Sequence, residues 1–160
     1  MADTCIVNAS PLIFLAKAAC LEYLRLEGET VLVPGPVAAE ILGHSEDAGA
    51  RALGENAWLI RMEAVPVPRS IQAWDLGDGE SSVLAMALAT PGSTAILDDL
   101  AARRCAAAQG IPVRGCVGLV LRAKRKGRIP LARPVLDQLR GAGLYLSDSV
   151  VDGALSLVGE

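Results

Sequence analysis

The chain is poor in aromatic residues, which make up 3% of it, with two Trp, two Tyr and one Phe in 160 positions. No aromatic platform for stacking nucleic-acid bases is evident, and the interior must be filled by Ala, Leu, Val and Ile. Histidine occurs once, at His44, which reads as an isolated loop residue and not as a general base. The four cysteines, Cys5, Cys20, Cys105 and Cys116, form no C-x-x-C pair, so the clustered thiolate and imidazole ligands of a zinc site are not expected. Cys5 falls in a strand pattern and Cys105 in a helix pattern, which reads as buried free thiol in a reducing cytoplasm. An excess of positive charge is also missing. The formal net charge is -3, which excludes a general nucleic-acid coating protein and leaves only a local basic patch for such contacts. No uncharged apolar run reaches the ~18 residues of a membrane span. Met1-Ala2-Asp3-Thr4 carries no basic segment ahead of its apolar stretch, so a signal peptide is not expected either.

What is present is a large apolar fraction, 52%, with a mean hydropathy of +0.39. Residues 1–160 read as one domain. Buried strands are expected at Cys5–Val7, Val31–Val33, Thr94–Leu97 and Ile111–Val113, with a further extended stretch at Trp58–Val67. Between them fall helical patterns. One starts at Ser10 as cap with Pro11 first, and a short one covers Leu21–Leu26. Others open at Pro36, near Ala48, and at Gly77–Ala89 with Asp78 as cap. Later helices are expected over Leu100–Gln109, Val117–Lys126, Leu131–Arg140 and Ser147–Val158, the last after a short extended piece at Leu144–Leu146. Strands alternating with helices predict a three-layer α/β/α fold around a central parallel sheet, whose sites form at the carboxyl ends of the strands.

Four segments place polar groups against apolar patterns: Val7-Asn8-Ala9-Ser10, Ala39-Glu40, Gly77-Asp78-Gly79-Glu80 and Leu97-Asp98-Asp99. A carboxylate beside a core stays ionised only when something compensates it. Two such groups about 4 Å apart repel by roughly 4 kcal/mol at an intermediate dielectric. A hard divalent cation bound by oxygens removes that repulsion, and Mg2+ or Mn2+ is the expected kind. Each residue also has a local explanation. Asn8 suits a strand-end turn, Glu40 and Glu80 suit a helix N-terminal dipole, and Asp78 and Asp99 suit helix caps.

The four segments, in this order, resemble the motifs of PIN-domain proteins. Ile6-Val7-Asn8-Ala9-Ser10-Pro11 is similar to the family's opening motif, where an Asp usually stands at the place of Asn8. Val37-Ala38-Ala39-Glu40-Ile41, Leu76-Gly77-Asp78-Gly79-Glu80-Ser81 and Ala95-Ile96-Leu97-Asp98-Asp99 are similar to the next three. Gly115-Cys116-Val117-Gly118 and Leu121-Arg122-Ala123-Lys124 resemble a subgroup related to the toxins of bacterial toxin–antitoxin pairs. The resemblance implies a Mg2+- or Mn2+-dependent endoribonuclease, cytoplasmic, held by a small antitoxin and forming a homodimer. Asn8, Glu40, Glu80 and Asp98 are then its catalytic group, with Asn8, Glu80, Asp98 and Asp99 as metal ligands and Ser10 hydrogen-bonding across the site. An amide at position 8 brings no charge, so the activity is expected to be weakened, and the alternative is a fold that has lost catalysis and binds RNA or a protein.

Basic residues cluster at Arg103-Arg104 and along Arg122, Lys124, Arg125 and Lys126. Arg122, Arg125 and Lys126 share a helical face and, with Arg103 and Arg104, are candidates for phosphate contact; the local alternative is a solvated helix C-terminus. The Ala- and Leu-rich stretches Pro11–Leu26 and Ile41–Leu53 are candidates for an apolar self-association or antitoxin surface.

Overall fold

The computed structural model describes residues 3–43 and 47–160, and the expected loop residue His44 lies outside them. Among the described residues there is one sheet of five strands: β1 (Thr4–Val7), β2 (Thr30–Pro34), β3 (Leu59–Met62), β4 (Thr94–Ile96) and β5 (Val113–Arg114). All pairs are parallel and the order is β3-β2-β1-β4-β5. Cys5, Ile6, Val7, Val31, Val33, Ala95 and Ile96 are wholly buried. Continuous burial, with no alternation, is what a sheet covered on both faces requires. β3, at the sheet edge, keeps only Leu59 buried.

The helices are α1 (Ala9–Lys17), α2 (Gly35–Leu42), α3 (Ala48–Glu55), α4 (Arg69–Gln72), α5 (Asp78–Ala89), α6 (Leu100–Ala108), α7 (Cys116–Arg125), α8 (Arg133–Gly141) and α9 (Asp148–Ser156), with a 3-10 helix at Leu21–Leu26. Connections toward β3 and connections toward β5 run in opposite directions, so right-handed crossovers cover opposite faces of the sheet. α5 packs on β1, β2 and β4; the 3-10 helix packs on β2 and α7; α9 packs on α7 and α8. The result is the three-layer α/β/α arrangement, with a core of Ile6, Leu12, Leu15, Leu84, Ile96, Leu97 and Leu119.

Several boundaries differ from the sequence pattern, each for a hydrogen-bonding reason. α1 is capped by Asn8 and not Ser10, because the Asn8 amide still donates to Ile96 (3.1 Å) and the chain turns directly out of the sheet. Gly77 caps α5, leaving Asp78 as its first helical residue. β5 starts at Val113 and not Ile111, since the Ile111 amide is spent on Ala106 at the end of α6 (2.9 Å). Leu144–Leu146 forms no strand; the Leu144 amide closes α8 on Leu139 (3.0 Å). Within Trp58–Val67 only Leu59–Met62 pairs, and α4 was not visible in the pattern.

Arg122, about one-third exposed, spends its Nε on internal partners. Glu27, 8% exposed, sits 2.8 Å from Arg114 Nε and 3.4 Å from Arg122 Nε, and Arg122 also donates to the Leu26 carbonyl (3.2 Å). This corrects its reading as a phosphate contact: a buried carboxylate needs the cation more than solvent does. Burial, then the nearby Glu27 charge, pushes the Cys5 thiol up to about 12. All four cysteines are free and buried. The expected apolar surface is also displaced. From Pro11–Leu26 and Ile41–Leu53 the large exposed apolar side chain is Leu42 alone among the described residues, whereas Tyr145, Val150 and Leu157 stand out beside α9. No helix of the described residues is long and apolar enough to cross a membrane.

Because the two arginines are one-third exposed, removing their shared carboxylate is expected to cost about 2–4 kcal/mol, somewhat less than a fully buried pair. Glu27→Ala should therefore lower the urea midpoint clearly at unchanged m-value, and a midpoint equal to that of the parent chain would contradict a buried ion triad.

Candidate metal centre

In the sheet order, β1 and β4 are the neighbours from which successive strands diverge to either side. At such a reversal the connections leave a crevice beyond the carboxyl ends of the strands. Asn8 follows β1 and Asp98-Asp99 follow β4, so both segments reach this crevice from the sheet. α2 and α5 pack on each other and bring the remaining acids. A cavity of about 420 Å3 results, lined by Asn8, Ser10, Pro36, Ala39, Glu40, Gly77, Asp78, Gly79 and Glu80.

Asn8 is 5% exposed, and its carbonyl oxygen Oδ1 is buried without a hydrogen-bond partner. Its side chain makes no cap bond to α1, so the turn-residue explanation leaves this atom unaccounted for. Gly79 explains how the group is assembled. A Cβ on Gly79 would lie 3.1 Å from Glu40 Oε2 and 3.4 Å from Asn8 Oδ1. A side chain at this position would crowd Glu40 Oε2, so glycine keeps α5 close to both oxygens without displacing the carboxylate. Glu80, one position on, reaches back to the Gly77 backbone as the acid of a capping box does. Burial, then the Asp99 charge, raises its pKa above the ordinary carboxylate range; the Gly77 hydrogen bond lowers it and Glu40 adds a further increase. Asp99 caps α6 with Oδ2, accepting from the Ala102 amide at 3.0 Å.

The family model described as DUF3368, PIN domain, matches residues 4–160. The chain belongs to the PIN-domain family. Its five-stranded parallel sheet is the nuclease-type fold of that family. A comparison with curated proteins finds no match.

Within this PIN domain the acids named from sequence do not all converge. Asn8, Glu40 and Glu80 line one cavity, and Asp99 is near enough to act on Glu80. Asp98 lines a separate cavity with Arg103 and Gly115, and both of its oxygens are taken: Oδ1 accepts from the Cys116 amide (2.8 Å) and Oδ2 from the Cys116 thiol (2.9 Å). Ser10 is an exposed wall of the cavity, with no hydrogen bond across it among the described residues. Arg103 and Arg104 are both exposed on α6, Arg103 also donating to Leu97 O at 3.4 Å. Arg125 and Lys126 close the far end of α7, which starts beside Asp98 and runs for 10 residues, or about 15 Å. They are not part of the cavity. Gly79 and Cys116 were not named as contributors; the Gly-Asp-Gly-Glu spacing carried a signal for the first, and the Gly115-Cys116-Val117-Gly118 segment gave the second no role.

Among the described residues, no three His, Cys, Asp or Glu side chains are grouped tightly enough to enclose an ion by themselves. With the Asn8 amide included, the donors are all hard oxygens, one of them buried and orphaned. That set fits Mg2+ or Mn2+ better than a softer metal. The charges of Asp99 and Glu40 push the Glu80 pKa up, behind the larger effect of its burial.

Glu80 also sets a sign for pH dependence. Its folded pKa lies above the unfolded value, so its contribution to stability is fully present below the ordinary carboxylate range and is lost as pH rises through the raised value. In EDTA, Glu80→Gln should therefore melt increasingly above the parent as pH rises from about 4 toward 7, across the usual Glu range. A difference that stays constant with pH would show that Glu80 is unperturbed.

Proposed function

We propose that this PIN domain is a Mg2+- or Mn2+-dependent endoribonuclease, the toxin of a toxin–antitoxin pair, weakened by Asn8 in the place of an acid. The observation that carries the reading is the buried, partnerless Asn8 oxygen beside Glu40 in a cavity that Glu80 also lines. On this reading Asn8 Oδ1, Glu40, Glu80 and Asp99 hold the metal. The bound cation supplies charge neutralisation at the scissile phosphate and a lowered pKa for the attacking water.

The protein's own groups do the rest. Asn8 orients through its amide, fixed by burial and by the backbone bond to Ile96. Gly79 keeps the approach to Glu40 open. Ser10 and Asp78 border the cavity where the phosphate backbone of RNA would pass. Arg104 on α6 suits a phosphate contact, making affinity salt-dependent. Residues 1–160 act as one unit on this reading, cytoplasmic, with a small antitoxin and a second copy as protein partners.

A second reading has one observation in its favour: Asn8 brings no charge, so the fold would bind RNA or a protein without cleaving. The two separate in a single comparison. Asn8→Asp should bind Mn2+ about tenfold more tightly than the parent, a difference of about 1.4 kcal/mol, and cleave single-stranded RNA faster. It should also melt lower in EDTA, because it adds a buried carboxylate next to Glu40. RNA retained without turnover in both chains would select the binding module, and equal Mn2+ affinity would contradict a charge deficit at position 8.

A further inference from the structure

Resting on the metal reading above, we propose that Asp98 is a positioning residue and not a ligand: with Cys116 it forms a clamp that fixes the end of β4 so that Asp99 faces the metal. The sequence reading puts Asp98 in the catalytic group and Asp99 only among the metal ligands. The structure separates them by how each carboxylate is used.

Both Asp98 oxygens are occupied by one residue, Oδ1 by the Cys116 amide at 2.8 Å and Oδ2 by its thiol at 2.9 Å. The Cys116 amide is one of the donors a helix N-terminus leaves without an intrahelical partner, and Gly115, the cap of α7, has no side chain to satisfy it. Asp98 therefore caps α7 from another element, with its charge at the positive end of the helix dipole. Burial holds the Cys116 thiol well above its ordinary range, and the Asp98 charge and hydrogen bond raise it further, so the sulfur remains a donor. Gly115 closes the arrangement. Any Cβ there would lie 2.9 Å from Asp98 Oδ1 and strike the Arg103 guanidinium.

The neighbours of Asp98 are tied by different groups. Leu97 donates to Arg114 O (3.1 Å) and accepts from Arg103 (3.4 Å). Asp99 uses Oδ2 on Ala102, which leaves Oδ1 as its second oxygen. The same Cys116 sulfur lies 4.0 Å from the Pro11 carbonyl in α1, so one side chain links the helix after Asn8 to the segment bearing Asp99. Metal ligands are held in place by such surrounding hydrogen bonds, and loosening them typically costs about 10–100-fold in affinity.

The test is Mn2+ affinity of the full chain, read as free Mn2+ by electron paramagnetic resonance, beside melting in EDTA. Asp98→Asn and Cys116→Ala should each weaken Mn2+ binding by about tenfold. The double variant should be no weaker than the worse single, since both break the same contact. Cys116→Ser, which keeps a donor, should return to near the parent affinity. Two results would overturn the clamp: an Asp98→Asn loss that is undiminished in the Cys116→Ala background, which makes Asp98 a ligand, or lower melting with unchanged Mn2+ affinity, which makes the contact merely structural. If neither the parent nor Asn8→Asp binds Mn2+ at all, the metal reading fails, and the positioning role with it.

Discussion

The constraint on which the rest depends is the gathering of acidic and amide side chains into one cavity where the parallel sheet reverses its strand order. β1 delivers Asn8 to a crevice that the contact of α2 with α5 lines with Glu40 and Glu80, and β4 leads to Asp99, near enough to act on Glu80. Carboxylates confined in this way are driven to protonate or to find a cation, and burial first, then the Asp99 charge, raises the pKa of Glu80. A fold that accepts such repulsion gives up stability for a site, a common exchange in functional clefts. Asn8 softens it, because an amide keeps the oxygen and drops the charge.

The same geometry supplies part of the compensation. α1, α5 and α6 begin at Asn8, Gly77 and Asp99, so their N-termini lie near the crevice. The positive ends of helix dipoles there favour anions, each by a few tenths to about 1 kcal/mol when exposed. Such dipoles offset part of the mutual repulsion of the acids. It also explains why local capping preference and ligand chemistry coincide in this sequence. The residues that start the helices are those that face the crevice.

The fold was legible because buried strands and helices alternate without ambiguity, from Cys5–Val7 onward. Element ends were less so. Asn8 took the cap that Ser10 was expected to hold, and Ile111 was drawn into the end of α6, because backbone hydrogen bonds to distant or preceding residues won over local propensity. In the site, Asn8, Glu40 and Glu80 were readable from their place against apolar patterns. The distinction between Asp98 and Asp99 was not, since it depends on Cys116, 18 residues away. Arg122 likewise looked solvated until Glu27, from the end of the 3-10 helix, was seen to take its Nε. Long-range pairing of this kind leaves no trace in spacing.

The central claim, that these oxygens form one cation site, is tested most directly by crystals grown with Mn2+ and measured for its anomalous scattering. The account predicts a peak in the crevice within coordinating distance of Asn8 Oδ1 and of the carboxylates of Glu40 and Glu80, with Asp98 still bound to Cys116. A fully occupied peak elsewhere, or a crevice without one at saturating Mn2+, would contradict it.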